Sequence, residues 1–363
     1  FGRDELAEGT QAPFGAVAER LHLPLRDPFR IARDEPDRAA ETVIVTLFDS
    51  DGREALGEAF PVRYYGETSD TVEAVLPLLV AAVGALGPLP QDLSGARGWL
   101  LRASGAMDDA LGHHGGAKCA MDIALHDLVG QRLELPLHEV LGTAAEGSPT
   151  DFSIGLDEPS AVAGRAARAA HFPALKIKVG GARDLDTLEA VRAVFGGPIR
   201  VDANTGWTPD EALRLLPELI RLGVELIEQP FASHQLSQLA WLQERSTLPI
   251  VADESAVTER DLDRLVGVVA GINVKITKCG GVGPGLRMVR RARELGFKVM
   301  LGCMEETSVG IAAAAALASL AEWVDLDGNL LLADDPFDGL ELSPDCRWLL
   351  PREPGLGLGR RPD

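Results

Sequence analysis

The chain has 363 residues, with 35 Lys and Arg against 55 Asp and Glu, giving a formal charge of −20. A surface this acidic repels phosphate backbones and anionic lipid, which argues against nucleic-acid binding and a polybasic membrane anchor. Hydrophobic residues make up 46% and charged residues 25%. That is ordinary globular composition with apolar material for a sizeable core, and it excludes a disordered or disulfide-stapled chain.

The chain opens with Asp4, Glu5 and Glu8 and no apolar run, so no signal peptide is expected. Residues 43–48 (Val-Ile-Val-Thr-Leu-Phe) are β-rich and end at the turn signal Asp49-Ser50-Asp51-Gly52. Residues 54–60 then read as a return strand, an antiparallel start. Helices are expected at 71–83 and at 117–129, where Cys119, Ala120, Ile123, Ala124 and Leu128 recur at helical spacing. The longest uncharged run, 74–91, contains Pro77, Gly84, Gly87, Pro88 and Pro90, which oppose a membrane-spanning helix. Cys119, Cys279, Cys303 and Cys346 have neither metal-ligand nor redox spacing. They read as buried, reduced thiols of a cytoplasmic protein.

After residue 150 strands and helices alternate. Apolar strands are expected at 152–156, 174–179, 199–202, 224–228, 250–253, 272–276, 299–302 and 323–326. Helices are expected between them at 184–194, 209–222, 261–269, 285–295 and 309–320. Such a series predicts an α/β fold, a (β/α)7–8 TIM-type barrel. An open doubly wound sheet would gather its ligand groups at one switch point. Here polar residues recur at the end of strand after strand. The glycine-rich stretch 280–285 lacks both the dinucleotide and the P-loop pattern and reads as a flexible loop. His113-His114 has no matching ligand spacing, and 312–316 reads as a close-packing helix face. The Gly/Pro-rich tail is expected to pack back on the N-terminal part.

The strand ends carry the chemistry. From Lys178 to Asp202 is 24 residues, then 26 to Glu228, 25 to Asp253 and 22 to Lys275. Each step is about one βα unit, so these side chains converge on the barrel's C-terminal face, where barrel active sites sit. One such Asp alone would read as a helix cap. Asp202, Glu228 and Asp253 on three successive strands would repel one another unless a cation joins them, and all-oxygen ligation suits Mg²⁺. Lys176 and Lys178, two apart on a strand, point to the same side. Their mutual repulsion and a nearby cation would lower a lysine's pKa toward that of a general base. Lys275 lies four strands round, so Lys178 and Lys275 would flank a substrate from opposite faces. Lys278 is out of phase with Lys275 and reads as a loop residue. Asp325 and Asp327 share a strand face, have no lysine of their own, and can receive an ammonium group; a helix cap and a turn Asp are the plainer alternative.

At these residues the chain resembles the enolase superfamily, within its muconate lactonizing enzyme subgroup. The similar motifs are Lys176-x-Lys178, Asp202-Ala203-Asn204, Glu228-Gln229-Pro230, Asp253-Glu254-Ser255 and Asn273-x-Lys275. Pro24-Leu25 with Pro28-Phe29, Gly57-Glu58-Ala59 and Tyr65-Gly66-Glu67-Thr68 resemble its α+β capping domain. Gly302-Cys303-Met304-Glu305-Glu306 and Asp325-Leu326-Asp327-Gly328 resemble its dipeptide epimerases in particular. The resemblance implies a capping domain over 13–118, completed by the tail 335–363, and a barrel over 119–334. It implies Mg²⁺ on Asp202, Glu228 and Asp253, with Lys178 and Lys275 as acid/base pair and Lys176 stabilising an enolate. It gives Asp325 and Asp327 the α-ammonium of a dipeptide, and places Asn204, Met304, Glu305, Arg33 and Asp34 around the substrate. Glu-specific members carry an arginine in the mobile loop after the Pro-Phe pair. Here an ungapped match puts Asp34 at that position, with Arg33 beside it and Arg30 nearby; Asp34 would repel a Glu side chain, whereas Arg33 would serve one after a one-residue shift. The implied activity is Mg-dependent epimerisation of the C-terminal residue of an L,L-dipeptide. N-succinylamino acid racemisation or o-succinylbenzoate synthesis is the nearest alternative, and a non-catalytic metal-binding barrel a more distant one. The fold family often assembles into rings, so the resemblance is compatible with a homo-oligomer but leaves the oligomeric state open.

Overall fold

The hairpin read from the sequence forms because Asp49 turns the chain itself. Its Oδ1 accepts from the N–H groups of Asp51 and Arg53, both at 2.9 Å, and Gly52 adopts φ 81°. This computed structural model describes residues 14–362; the acidic residues 4–8 lie outside the described residues. Strands β1 (Phe14–Phe29), β2 (Asp37–Asp49) and β3 (Glu54–Ala59) make an antiparallel sheet in that order. The sequence reading missed β1, an edge strand, although its residues 21–26 alternate apolar and half-buried with exposed. Two helices cover the sheet. Ser69–Gly84 starts at a Thr68 capping box, and Leu93–Ala110, also missed, starts at an Asp92 cap.

Gly115–Leu133 is the central helix of the molecule and is buried along most of its length. Ala117, Ala120, Met121 and Ala124 join the core under the N-terminal sheet, while Cys119 and Ile123 join the barrel core. The helix thus runs unbroken through the boundary expected at 118/119. Chain approach here is close: a Cβ on Gly57 of β3 would lie 1.8 Å from the Ala120 carbonyl oxygen.

All eight later strands appear as one parallel sheet. They are β4 (Phe152–Ile154), β5 (Leu175–Lys178), β6 (Ile199–Asp202), β7 (Val224–Glu228), β8 (Ile250–Ala252), β9 (Gly271–Lys275), β10 (Lys298–Gly302) and β11 (Trp323–Asp325). A bridge between Thr150 and Val324 brings the two ends of the sheet together, making a nearly closed barrel. Three expectations differ. The segment expected to be helical at 261–269 holds two 3₁₀ turns, Glu259–Asp261 and Asp263–Leu265, because the Asp261 carboxylate caps the N–H groups of Val257 and Thr258. The segment 309–320 divides into the buried helix Ser308–Ala315 and the turn Ala318–Leu320. The glycines at 280–285 join two helices, Ile276–Cys279 and Val282–Glu294, rather than forming an open loop. Gly281 adopts φ 127°, and a Cβ there would collide with Asp122.

The tail straddles both parts. Leu356 N–H donates to Asp127 of the central helix at 2.8 Å, and Arg360 pairs with Glu19 of β1. Phe337, Cys346 and Trp348 pack into the barrel core. The four cysteines are free thiols, and all except the half-buried Cys279 are buried. Among the described residues no helix is long and apolar enough to cross a membrane.

Gly57→Ala should lower stability by about 1–3 kcal/mol or more, because backbone on both sides prevents relief of the overlap. Gly105→Ala, inside Leu93–Ala110 with open space around it, should raise stability by about 0.5–1 kcal/mol. Urea midpoints of the two variants moving in opposite directions would check the packing.

Candidate active site

Strand register makes the site. Lys178 of β5 stands beside Asp202 of β6, and Asp202 beside Glu228 of β7. Across the ring, Gly302 of β10 stands beside both Lys275 of β9 and Asp325 of β11. Asp253 follows the last residue of β8. Its main chain is fixed by Gln229, whose Oε1 accepts from the N–H groups of Asp253 and Ser255 at 2.9 and 3.1 Å. Gly302 has to be glycine, since a Cβ there would lie 2.6 Å from Asn273 Oδ1. Asn273 in turn donates to Glu228 Oε1 at 2.7 Å.

These groups form one buried ionic cluster. Lys178 Nζ donates to Asp202 Oδ2 at 2.6 Å. Lys176 Nζ pairs with Asp325 and also lies 3.1 Å from Glu228 Oε2 and 3.6 Å from Asp202 Oδ2. Lys275 Nζ lies 3.1 Å from Asp253 Oδ2 and 3.8 Å from the Met304 sulfur. Burial favours neutral carboxyls, but Lys178 and Lys176 hold Asp202 below its ordinary range, and Lys275 and Lys278 hold Asp253 further below it. Glu228 is pushed up to about 7 by burial and by the charge of Asp202, and Asp327 to about 7 by burial and Asp325.

Three expectations are corrected. Burial lowers the lysines, but carboxylates outweigh it: Asp253 holds Lys275 above its ordinary value, and Asp325 and Glu228 do so for Lys176. Expected lysine–lysine repulsion loses because a carboxylate pairs with each ammonium: Asp325 with Lys176, Asp202 with Lys178 and Asp253 with Lys275. Asp325 does have a lysine of its own, Lys176, which reaches it past β4, the strand between theirs. Asp327 accepts from Ser153 N–H at 2.5 Å and has no lysine partner among the described residues. Lys278 is no loop lysine. It is buried on Ile276–Cys279, pairs with Asp253, and donates to the carbonyls of Asp253, Ala256 and Asn273 at 2.8, 3.0 and 3.1 Å. Its phase puzzled the sequence reading because the strand turns into a helix directly after Lys275.

A cavity of about 760 Å³ opens above the cluster, between barrel and N-terminal domain. Lys176, Lys178, Lys275, Asp253, Asp325 and Asp327 form its floor. Asn204, Met304, Glu305, Arg33 and Asp34 line its sides. Asp202 and Glu228 are fully buried. Arg33 is held by Glu254, and its guanidinium lies 4.5 Å from the Tyr64 ring centre, with Asp34 at 3.7 Å. Sequence reasoning missed Glu58 and Glu306 as a buried pair. Glu58 accepts from Thr42, Thr307 and Gly310, tying β3 to the loop after β10. Both Glu306 oxygens are buried without hydrogen-bond partners, and burial with the neighbouring Glu58 pushes the group well up.

Among the described residues no three His, Cys, Asp or Glu side chains stand at a spacing that could hold a metal ion. The carboxylates are instead engaged by ammonium groups. The donor chemistry nevertheless fits a hard divalent cation: three carboxylates at successive strand ends, with the Glu228 Oε2 oxygen buried and lacking any hydrogen bond.

Fold and floor together define a capped barrel with opposed lysines around a carboxylate cluster, the arrangement of an enzyme that moves protons. Residues 16–142 match the model "Mandelate racemase / muconate lactonizing enzyme, N-terminal domain", and 160–363 match "Enolase C-terminal domain-like". The chain belongs to this enolase-superfamily family. Among its relatives, an L-Ala-D/L-Glu epimerase of Bacteroides thetaiotaomicron is 42% identical over 67% of this chain, a match spanning 64% of that protein. An L-Lys-D/L-Arg epimerase of Methylococcus capsulatus is 35% identical over 93% of this chain and 96% of its own. The structure of a dipeptide epimerase from Enterococcus faecalis with Mg and L-Leu-L-Tyr superposes with a TM-score of 0.85 at 31% identity, covering 96% of this chain and 99% of that one.

Glu67 offers a pH test of how the cap is seated. It lines the cavity and accepts from Gly116 N–H at 2.9 and 3.2 Å. Burial raises it from 4.5 to about 7, only partly offset by backbone N–H groups of Gly116 and Ala117. The folded state therefore binds this proton more tightly than the unfolded chain. The resulting stability is complete below pH 4.5 and lost as pH rises to about 7. Wild type should lose stability relative to Glu67→Gln across that window and run parallel to it above, in urea titrations at several pH values.

Proposed function

We propose that this chain is a Mg²⁺-dependent dipeptide epimerase, inverting the α-carbon of the C-terminal residue. The observation that carries the reading is the pair Lys178 and Lys275, four strands apart on the ring, facing one cavity across a bed of carboxylates. Binding alone has no use for two opposed bases. Asp202, Glu228 and Asp253 would hold the cation, which supplies positive charge for the substrate's terminal carboxylate and competes with the ammonium groups for these oxygens.

In this reading one lysine, released from its carboxylate and in its neutral amine form, takes the α-proton and becomes an ammonium, while the other, an ammonium at the outset, gives its proton to the opposite face and is left neutral. For the reverse direction they exchange roles. An α-hydrogen beside a carboxylate is very weakly acidic, so charge on the resulting enolate has to be met as it forms. Lys176, fixed by Asp325 and Glu228, is the fixed positive group beneath it. Asp327, without a lysine, receives the dipeptide's α-ammonium. The cap, residues 13–118 with the tail 335–363, closes the cavity over the barrel 119–334, and the central helix joins them. Four free thiols support a reducing, cytoplasmic setting.

The Lys176–Asp325 pair favours one second reading. With Asp325 already occupied, an N-acylated amino acid, which has no α-ammonium, asks less of this side of the cavity. N-succinylamino acid racemisation would use the same lysines.

Lys178→Ala and Lys275→Ala should each reduce epimerisation by at least about 10²–10⁴-fold. Each variant should still exchange the α-proton of one epimer only, the two variants differing in which epimer. Wild-type epimerisation by Lys275→Ala would refute the assignment. Chelation should abolish turnover reversibly, with activity returning on addition of Mg²⁺.

A further inference from the structure

The floor of the cavity is suited to the dipeptide backbone; its walls select a side chain. Those walls are acidic. Asp34 and Glu35 lie on the loop between β1 and β2, Asp37 begins β2, and Glu305 follows β10. Among the described residues no Lys or Arg pairs with Glu35, Asp37 or Glu305. Burial and the facing charge of Asp34 raise Asp37, so the carboxylates crowd one another. The nearest cation, Arg33, is already neutralised by Glu254 and stacked on Tyr64. It is not free to greet a carboxylate. Arg63 also lines the cavity, exposed, as the sole basic counterweight to these acids on the cap side once Arg33 is engaged.

A second, independent feature points the same way. Asn204 is only 3% exposed and lines this cavity. Its Nδ2 donates to Glu254 at 3.4 Å, which fixes the amide orientation and leaves Oδ1 an acceptor with no donor. A buried acceptor of this kind costs stability until an N–H reaches it. Carboxylate and alkyl side chains bring no such donor; ammonium and guanidinium groups do. Leu25, Phe29, Ile31 and Leu331 supply apolar wall for the methylene stem of a long cationic side chain.

We propose that the cavity selects dipeptides bearing a cationic side chain, lysine- or arginine-like, held between the acidic β1–β2 loop with Glu305 and the free Oδ1 of Asn204. The proposal rests on the epimerase reading for its substrate backbone, and it takes a side-chain class that the relatives leave open, since their names span Glu, Arg and apolar residues.

Two readouts separate the proposal from the reading beneath it. Calorimetry with the Mg²⁺-supplemented Lys178→Ala/Lys275→Ala protein would compare L-Ala-L-Lys, L-Lys-L-Ala, L-Ala-L-norleucine and L-Ala-L-Glu. At least one lysine dipeptide should bind at least 10-fold tighter than the norleucine one, and the Glu one weakest. In the otherwise wild-type enzyme, kcat/KM for α-proton exchange should follow the same order. Asp34→Asn with Asp37→Asn should lower the preference for the lysine over the norleucine dipeptide at least 10-fold. Preference for Glu, abolished by Arg63→Ala, would overturn the proposal, as would equal binding of lysine and norleucine dipeptides. Selective binding of the lysine dipeptide without exchange in the wild-type enzyme would uphold the side-chain proposal and refute the epimerase reading.

Discussion

The structure turns on how a protein interior tolerates so many charges in one place. Four lysines (176, 178, 275 and 278) and five carboxylates (Asp202, Glu228, Asp253, Asp325 and Asp327) are buried together at one end of the barrel. Each ion removed from water costs several kcal/mol unless a partner and hydrogen bonds repay it. Here every ammonium has a carboxylate, yet the negative side is in excess. Glu228 and Asp327 are both raised to about 7, first by burial and then by the charges of Asp202 and Asp325. In the proposed reading a divalent cation enters by displacing ammonium groups from these carboxylates, and a substrate ammonium meets Asp327. The same imbalance that strains the folded state is what makes the pocket receptive.

Precision in this cluster comes from outside it. Gln229 fixes the Asp253 main chain, Asn273 orients Glu228, and Gly302 clears the space Asn273 fills. Lys278 anchors Asp253 from below, pairing with its carboxylate and donating to its carbonyl, and its ammonium also lies within reach of the Ala256 and Asn273 carbonyls. Glu58 ties the cap sheet to the loop after β10. The central helix presents one face to each core. Cap and barrel are therefore coupled, and the cavity-lining loop between β1 and β2 is carried by a part of the molecule that contributes none of the floor.

Strand-end groups were legible in the sequence because a parallel barrel repeats: a phase-locked residue at every βα step projects onto the same face. All eight barrel strands and the gathering of Lys176, Lys178, Lys275, Asp253, Asp325 and Asp327 on one cavity floor follow that rule. What periodicity could not reveal was partnership. Lys176 meeting Asp325 requires the barrel to close, which puts β5 and β11 on either side of β4 with 149 residues between the two side chains in sequence. Lys278 falls out of phase because the chain changes from strand to helix within three residues of Lys275. Glu58 and Glu306 sit in separate domains, and neither shows its burial in its local pattern. The edge strand β1 does alternate, with Leu21, Leu23 and Leu25 half-buried and His22, Pro24 and Arg26 exposed, a pattern the sequence reading overlooked. Tertiary contact, not local propensity, decides each of the others.

Proton NMR in D₂O, with wild-type enzyme and Mg²⁺ and a pool of free dipeptides beside a pool of N-succinylamino acids, tests the central claim most directly. The account predicts loss of an α-proton signal from free dipeptides and retention in the succinylated pool. Exchange confined to the succinylated pool, or in neither pool with Mg²⁺ shown to be bound, would contradict it.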